Sequence, residues 1–137
     1  MANVLERKIL IDGWRNAVVQ FVGSIDSSDP AVVPALSLSD LTNNDKQLIL
    51  QGLRVENVAW TLGGGLLLAL EWTSADPQKI VELAGHSEFC GRRYGGLVPD
   101  LLRAGYDGSL SFRTRGFVPG TQTNYTVVVE CAKMYRR

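Results

Sequence analysis

Histidine occurs once in this chain and cysteine twice, and that scarcity removes several chemistries at the outset. A metal centre of the cupin kind draws on several histidines and a carboxylate, which His86 alone cannot supply. Two thiols, Cys90 and Cys131, are too few for a disulfide framework. Nothing else points to an oxidising compartment, so both are expected as reduced, partly buried thiols in a cytoplasmic protein. Neither sign of charge is in surplus. The 14 basic residues balance 14 acidic ones, which leaves no overall field to gather nucleic acid or an anionic membrane. Long apolar runs are missing too. The longest, residues 66–70, falls far below the roughly 18 residues of a membrane span, and residues 1–8 carry no apolar segment of a secretory signal.

What is present suits one domain. The 137 residues are 45% hydrophobic and 20% charged, enough to bury a core and too apolar for disorder. Helical periodicity is scarce, and alternation with a period of two is common. Residues 124–134 show it best: Tyr125, Val127, Val129 and Cys131 on one face, Thr126, Val128, Glu130 and Ala132 on the other. Strands are expected over 4–12, 14–22, 35–41, 48–62 (one strand or two), 66–73, 79–83, 108–115 and 124–134. Asp12-Gly13 reads as a hairpin turn, Asp29-Pro30 as a turn start within a loop over 23–34, and Gly63-Gly64-Gly65 as a second hairpin turn. Residues 42–45 fit a loop or the cap of one helical turn. The stretch 85–108 reads as an irregular connection with a helical turn at 100–103, and connections of that length usually have an interaction or functional role. About eight short strands without a βαβ rhythm predict an all-β antiparallel sandwich of the jelly-roll type, one domain over 1–137.

Candidate chemistry is sparse. The three glycines precede a strand and no Gly-Lys-Ser/Thr follows, so they do not form a phosphate cradle at a helix start. His86 and Cys90 share a loop, which does not by itself make a nucleophilic pair. Asp26, Asp29, Asp40, Asn43, Asn44 and Asp45 lack the spacing of a calcium loop and read as solvated turns. Trp14, Trp60 and Trp72 sit among aliphatic same-face neighbours and are expected in the core; as an exposed platform they would instead indicate a carbohydrate-binding sandwich. Asp100 and Glu130 are the pair an enzyme would use. Arg113 and Arg115 project from one face of a strand while Leu110 and Phe112 take the other, and Arg92-Arg93 and Arg136-Arg137 add basic spots. Arginine and tyrosine are favoured at protein interfaces. The candidate partner-contact residues are therefore Val4, Leu5 and Arg7 at the start, Arg113 and Arg115, and Tyr135, Arg136 and Arg137 at the end, with both ends read as extensions that order on binding.

Four segments together resemble small virion structural proteins of tailed bacteriophages: VLERKILIDGWRNAVVQFVG, the tryptophan-ended strand LLLALEWT, the glycine-and-leucine stretch GGLVPDLLRAGYDGSLSFRT, and the closing strand YTVVVECAKM. The resemblance spans almost the whole chain and consists of strand pattern, without a chemical motif. It implies a jelly-roll-like capsid cement or decoration protein that locks neighbouring major capsid proteins together. Such a protein resides in the virion, is assembled in the host cytoplasm and self-associates as a dimer or trimer at a symmetry axis. It has no catalytic residues, cofactor or metal, and neither nucleic acid nor membrane is its partner. A neck or tail-adaptor protein fits the same pattern.

Overall fold

Strand alternation of the kind seen in residues 123–136 builds two sheets whose apolar faces meet. The computed structural model describes residues 3–26, 33–42, 48–118 and 120–136. Its strands are β1 (Val4–Asp12), β2 (Asn16–Ile25), β3 (Val33–Leu36), β4 (Ile49–Leu62), β5 (Leu67–Trp72), β6 (Gln78–Ala84), β7 (His86–Cys90), β8 (Leu110–Arg115) and β9 (Thr123–Arg136). Two short 3₁₀ turns, Leu38–Asp40 and Gly91–Tyr94, follow β3 and β7. One sheet has the order β1-β2-β9-β4-β7 and the other β3-β8-β5-β6, and every pairing is antiparallel. Without β1, those orders are the two interleaved four-stranded sheets of a jelly roll. The chain is therefore an all-β antiparallel sandwich of the jelly-roll type, with an added outer strand beside β2.

The inward residues form one core. From the five-stranded sheet come Val19, Phe21, Leu53, Val58, Val127 and Val129; from the four-stranded sheet come Leu68, Leu70, Leu83, Leu110 and Phe112. Phe112 stands edge-on to Phe21 (centroids 4.9 Å apart) and to Tyr125 (6.4 Å), so an aromatic chain crosses between the layers. Trp72 adds a polar tie across the same gap, its Nε1 donating to the Leu53 carbonyl at 3.1 Å. At the hairpin end, the inward-facing Lys133 has a side chain 0% exposed. Its Nζ donates to Asp12 Oδ1 (2.6 Å), the Gly13 carbonyl (2.6 Å) and the Thr42 carbonyl (2.7 Å), so the ammonium is fully partnered.

Several expectations change. The second strand does not stop at 22: it runs to Ile25, pairing with β9 throughout. Gly23 does not end it, because the Tyr125 ring lies over the glycine and fills the space of the absent side chain. Gly63-Gly64-Gly65 makes no hairpin; β4 and β5 belong to different sheets, and the glycines carry the chain from one layer to the other, with Gly64 at φ +57°. Residues 48–62 give one strand, β4, which keeps its pairing through two bulges. The third strand ends at Leu36, and Leu38–Asp40 turns away as a 3₁₀ segment in which Asp40 accepts from the Ser37 N–H at 2.8 Å. The 85–108 connection holds β7, a regular strand on the edge of the larger sheet, and residues 101–105 make turns in place of the expected helical one. The expected turn at Asp29-Pro30 and the segment 43–45 lie outside the described residues.

A test of the Gly23–Tyr125 fit follows. A β-carbon at Gly23 would overlap the tyrosine ring, so Gly23→Ala is expected to cost about 1–3 kcal/mol. In a Tyr125→Leu background the same change should cost less, and urea denaturation of the four proteins measures the coupling. Equal costs in both backgrounds would exclude the ring as the cause.

Candidate functional site

The outer face of the smaller sheet gathers its charges around a small residue. Ala69 of β5 stands opposite Arg113 of β8 and Glu82 of β6, while Glu71 stands opposite Ser111 and Lys79. Above the short Ala69 side chain this leaves a cavity of about 190 Å³ lined by Glu71, Lys79, Glu82, Arg113 and Arg115. Arg115 Nη2 is ion-paired with Glu82, Lys79 reaches the same carboxylate at 3.6 Å, and Arg113 Nε lies 3.5 Å from Glu71. Glu71 is only 5% exposed, and its Oε1 has no hydrogen-bond partner. Three cations and two carboxylates around a small space suit a group that offers a donor to Glu71 and an acceptor to the arginines.

The second surface is the loop after the Gly91–Tyr94 turn. Three sets of contacts clamp it. Leu97 bridges to Val55 of β4 through two backbone hydrogen bonds of 2.9 and 2.8 Å. The Gln78 side chain grips the backbone of Asp100, donating to its carbonyl (3.1 Å) and accepting from its N–H (2.6 Å). Tyr106 covers Gly52, and Ala75 N–H donates to the Ala104 carbonyl at 2.9 Å. Burial beside Asp107 pushes the Tyr106 hydroxyl up to about 12. Between the clamps the chain turns outward, with Leu102 N–H donating to Asp100 Oδ1 at 3.1 Å. Leu102 is 95% exposed there, flanked by the exposed Val98 and Leu101.

A charged network fixes the base of this loop to the larger sheet. Arg92 bridges Glu56 and Glu130, and Arg54 donates to Glu56 at 2.9 Å. The hydrogen bond from Arg54, opposed by burial and helped by Arg92, holds the Glu56 carboxyl below its usual range. Glu130 is thus tied into this network, while Asp100 belongs to the Gln78 clamp; the pair proposed for an enzyme is divided between two structural tasks. His86 and Glu88 face a shallow depression of about 480 Å³ with Ala59, Thr61, Thr126 and Val128. Cys90 and Cys131 are unbridged. Burial, with Glu56 and Glu130 nearby, pushes the Cys131 thiol up to about 12, so it stays protonated. Among the described residues no group of three or more His, Cys, Asp or Glu side chains is placed to hold a metal ion, and no helix is long and apolar enough to cross a membrane.

The contact residues read from the sequence fall in three separate places. Arg113 and Arg115 do come together, at the cavity rim. Val4, Leu5 and Arg7 belong to β1 and are paired with β2; Arg7 donates to Asp40 at 2.7 Å and to the Ala35 carbonyl at 3.3 Å. Tyr135 and Arg136 are the end of β9, paired with Leu50 and Ile49, and the Tyr135 hydroxyl donates to the Trp14 carbonyl at 2.6 Å. Neither group is a loose extension, and the two lie at opposite ends of the larger sheet. Arg137 is outside the described residues. Of the tryptophans, only Trp72 is fully in the core. Trp60 is half-buried, its Nε1 donating to the Ala84 carbonyl at 2.9 Å, and Trp14 is 54% exposed at the hairpin tip. A tip of three residues between two strands, Gly13 to Arg15, leaves nothing for Trp14 to pack beneath. One exposed tryptophan is not a stacking platform.

Leu102, Glu71 and Lys133 were not singled out from sequence. Parity marked the last: Lys133 follows Val129 and Cys131 on the inward face of its strand. The adjacent Leu101 and Leu102 were a second signal, because an aliphatic pair in a turn segment has no strand face to serve. The sequence matches no protein-family model and no curated protein at a significant level.

Proposed function

We propose that this chain is a structural virion protein of a tailed bacteriophage, a jelly-roll cement or decoration protein that binds the major capsid protein shell and acts by binding, without turnover of a substrate. The observation that carries the reading is the clamped loop with its outward Leu102. A side chain so exposed on a segment so well tied down loses little conformational freedom on docking. Full burial of a leucine in a partner's apolar pocket contributes about 1.5–3 kcal/mol. The partly exposed guanidiniums of Arg113 and Arg115, on the outer face of the smaller sheet, offer a second and polar contact surface apart from that anchor. The strand pattern shared with small virion proteins supports the same reading, and a neck or tail adaptor would use these surfaces in the same way.

The test is occupancy on purified shells. Leu102→Asp is expected to weaken attachment about tenfold or more, equivalent to roughly 1.4 kcal/mol per decade, with an unchanged thermal melt. Unchanged occupancy would remove the loop from the contact and move attention to Arg113→Glu and Arg115→Glu. Failure of the unaltered protein to bind any shell would overturn the reading.

A further inference from the structure

Among the described residues, β1 has one strand neighbour and leaves a nine-residue edge open. Such edges are templates for pairing unless they are blunted. This one carries charges at its middle, Glu6, Arg7 and Lys8, and a bulge near its end, but is apolar to either side of the charges. Of the ten exposed large hydrophobics among the described residues, Val4, Leu10 and Ile11 are on β1 and Val22 is on the neighbouring β2. Between the apolar ends sit Glu6 and Lys8, facing outward, and neither has an ion-pair partner among the described residues.

We propose that a second copy of this chain pairs along β1, antiparallel about a two-fold axis at Arg7, joining the two larger sheets into one. Three constraints select the occupant and the register. A two-fold pairing must keep outer face beside outer face, so it centres on a residue and not between residues. Centred on Glu6 it sets glutamate against glutamate, and centred on Lys8 it sets lysine against lysine; directly opposed like charges are unfavourable. Centred on Arg7 it sets Glu6 against Lys8 of the second copy and Lys8 against Glu6 of the second copy. The same register places Val4 against Leu10 and Leu5 against Ile9. Arg7 then meets its own equivalent, but on the inward side, where each guanidinium is already neutralised by Asp40 at 2.7 Å. The bulge at Leu10, between Ile9 and Ile11, lies at the outer limit of this overlap, so the regular pairing runs over Leu5–Ile9 with Val4 and Leu10 packing at its ends. The pairing is independent of any attachment to a shell.

Analytical ultracentrifugation of the isolated chain tests it. The unaltered protein is expected to sediment at twice its 15.0 kDa mass in a concentration-dependent equilibrium. Glu6→Lys and Lys8→Glu each create two like-charge contacts about the axis and should each weaken the dimer at least tenfold, with far-UV circular dichroism unchanged. The combined swap, Glu6→Lys with Lys8→Glu, restores both pairs and should recover the original association. A monomer up to the solubility limit, a trimer, or a swap variant no tighter than the single variants would each overturn the proposal.

Discussion

Lys133→Met is expected to lower the unfolding free energy at neutral pH by about 3–5 kcal/mol, the usual cost of breaking a buried charge pair from one side. Methionine keeps the length and apolar stem of lysine. What it loses is the ammonium that serves Asp12 Oδ1 and the carbonyls of Gly13 and Thr42. Those three acceptors come from the β1–β2 turn and the segment after the Leu38–Asp40 turn, so the variant also frees two loops from the end of β9. The effect should depend on pH. Burial alone would raise the Asp12 carboxyl, but hydrogen bonds from Lys133 and Thr42 outweigh it and hold the group below its ordinary value of 3.8. A depressed folded pKa contributes stability that is fully present above the unfolded value and lost as pH falls through the folded one. The difference between wild type and Lys133→Met should therefore be largest above about pH 5 and shrink in strong acid. Denaturant midpoints across that range measure it, and a variant within 1 kcal/mol of wild type at neutral pH would contradict the pin.

Trp72→Ala should cost about 3–5 kcal/mol, as large-to-small changes in a packed core do. The indole closes the inward face after Leu68 and Leu70 and is only 4% exposed. It also reaches across the layers to the Leu53 carbonyl, a tie between sheets that a phenyl ring cannot make. Trp72→Phe separates the two parts. It keeps most of the volume and leaves that buried carbonyl without its donor, a loss of about 1–3 kcal/mol. Thermal and urea melts of the two variants decide the matter; near-identical losses would mean that the hydrogen bond, not the volume, dominates.

Much of the architecture was legible because its physics is local. Alternation over 124–134 marks β9 with the correct face inward, and Asp12-Gly13 marks the first hairpin. Leu110 and Phe112 against Arg113 and Arg115 separate the two faces of β8. What escaped depends on long-range packing. Nothing near Gly23 announces that Tyr125, some hundred residues later, will cover it and let the strand continue. Three glycines reverse a chain equally well within a sheet or between sheets, and only the strand order distinguishes the cases. β7 is short, with three polar exposed residues before the half-buried Phe89 and Cys90, too little alternation to betray a strand. Trp14 was misplaced because side-chain alternation counts neighbours along the strand and ignores where the strand begins. The candidate surfaces were partly legible. Arg113 and Arg115 were paired correctly, but the buried Glu71 beside them was hidden, as was the clamp by which Gln78 presents Leu102.

The position of β9 has a kinetic consequence. The last strand in sequence is inserted between β2 and β4, so the larger sheet stays in two separate pieces until the final fourteen-residue strand is in place. Until that strand joins, β2 and β4 each present an open edge to the gap between them. Closure then requires non-local pairing with both neighbours, with β2 lying on the order of a hundred residues away, which places the chain among slowly folding topologies. Misassembly during this interval, through premature strand exchange between nascent chains, is the vulnerability that such an order of assembly creates.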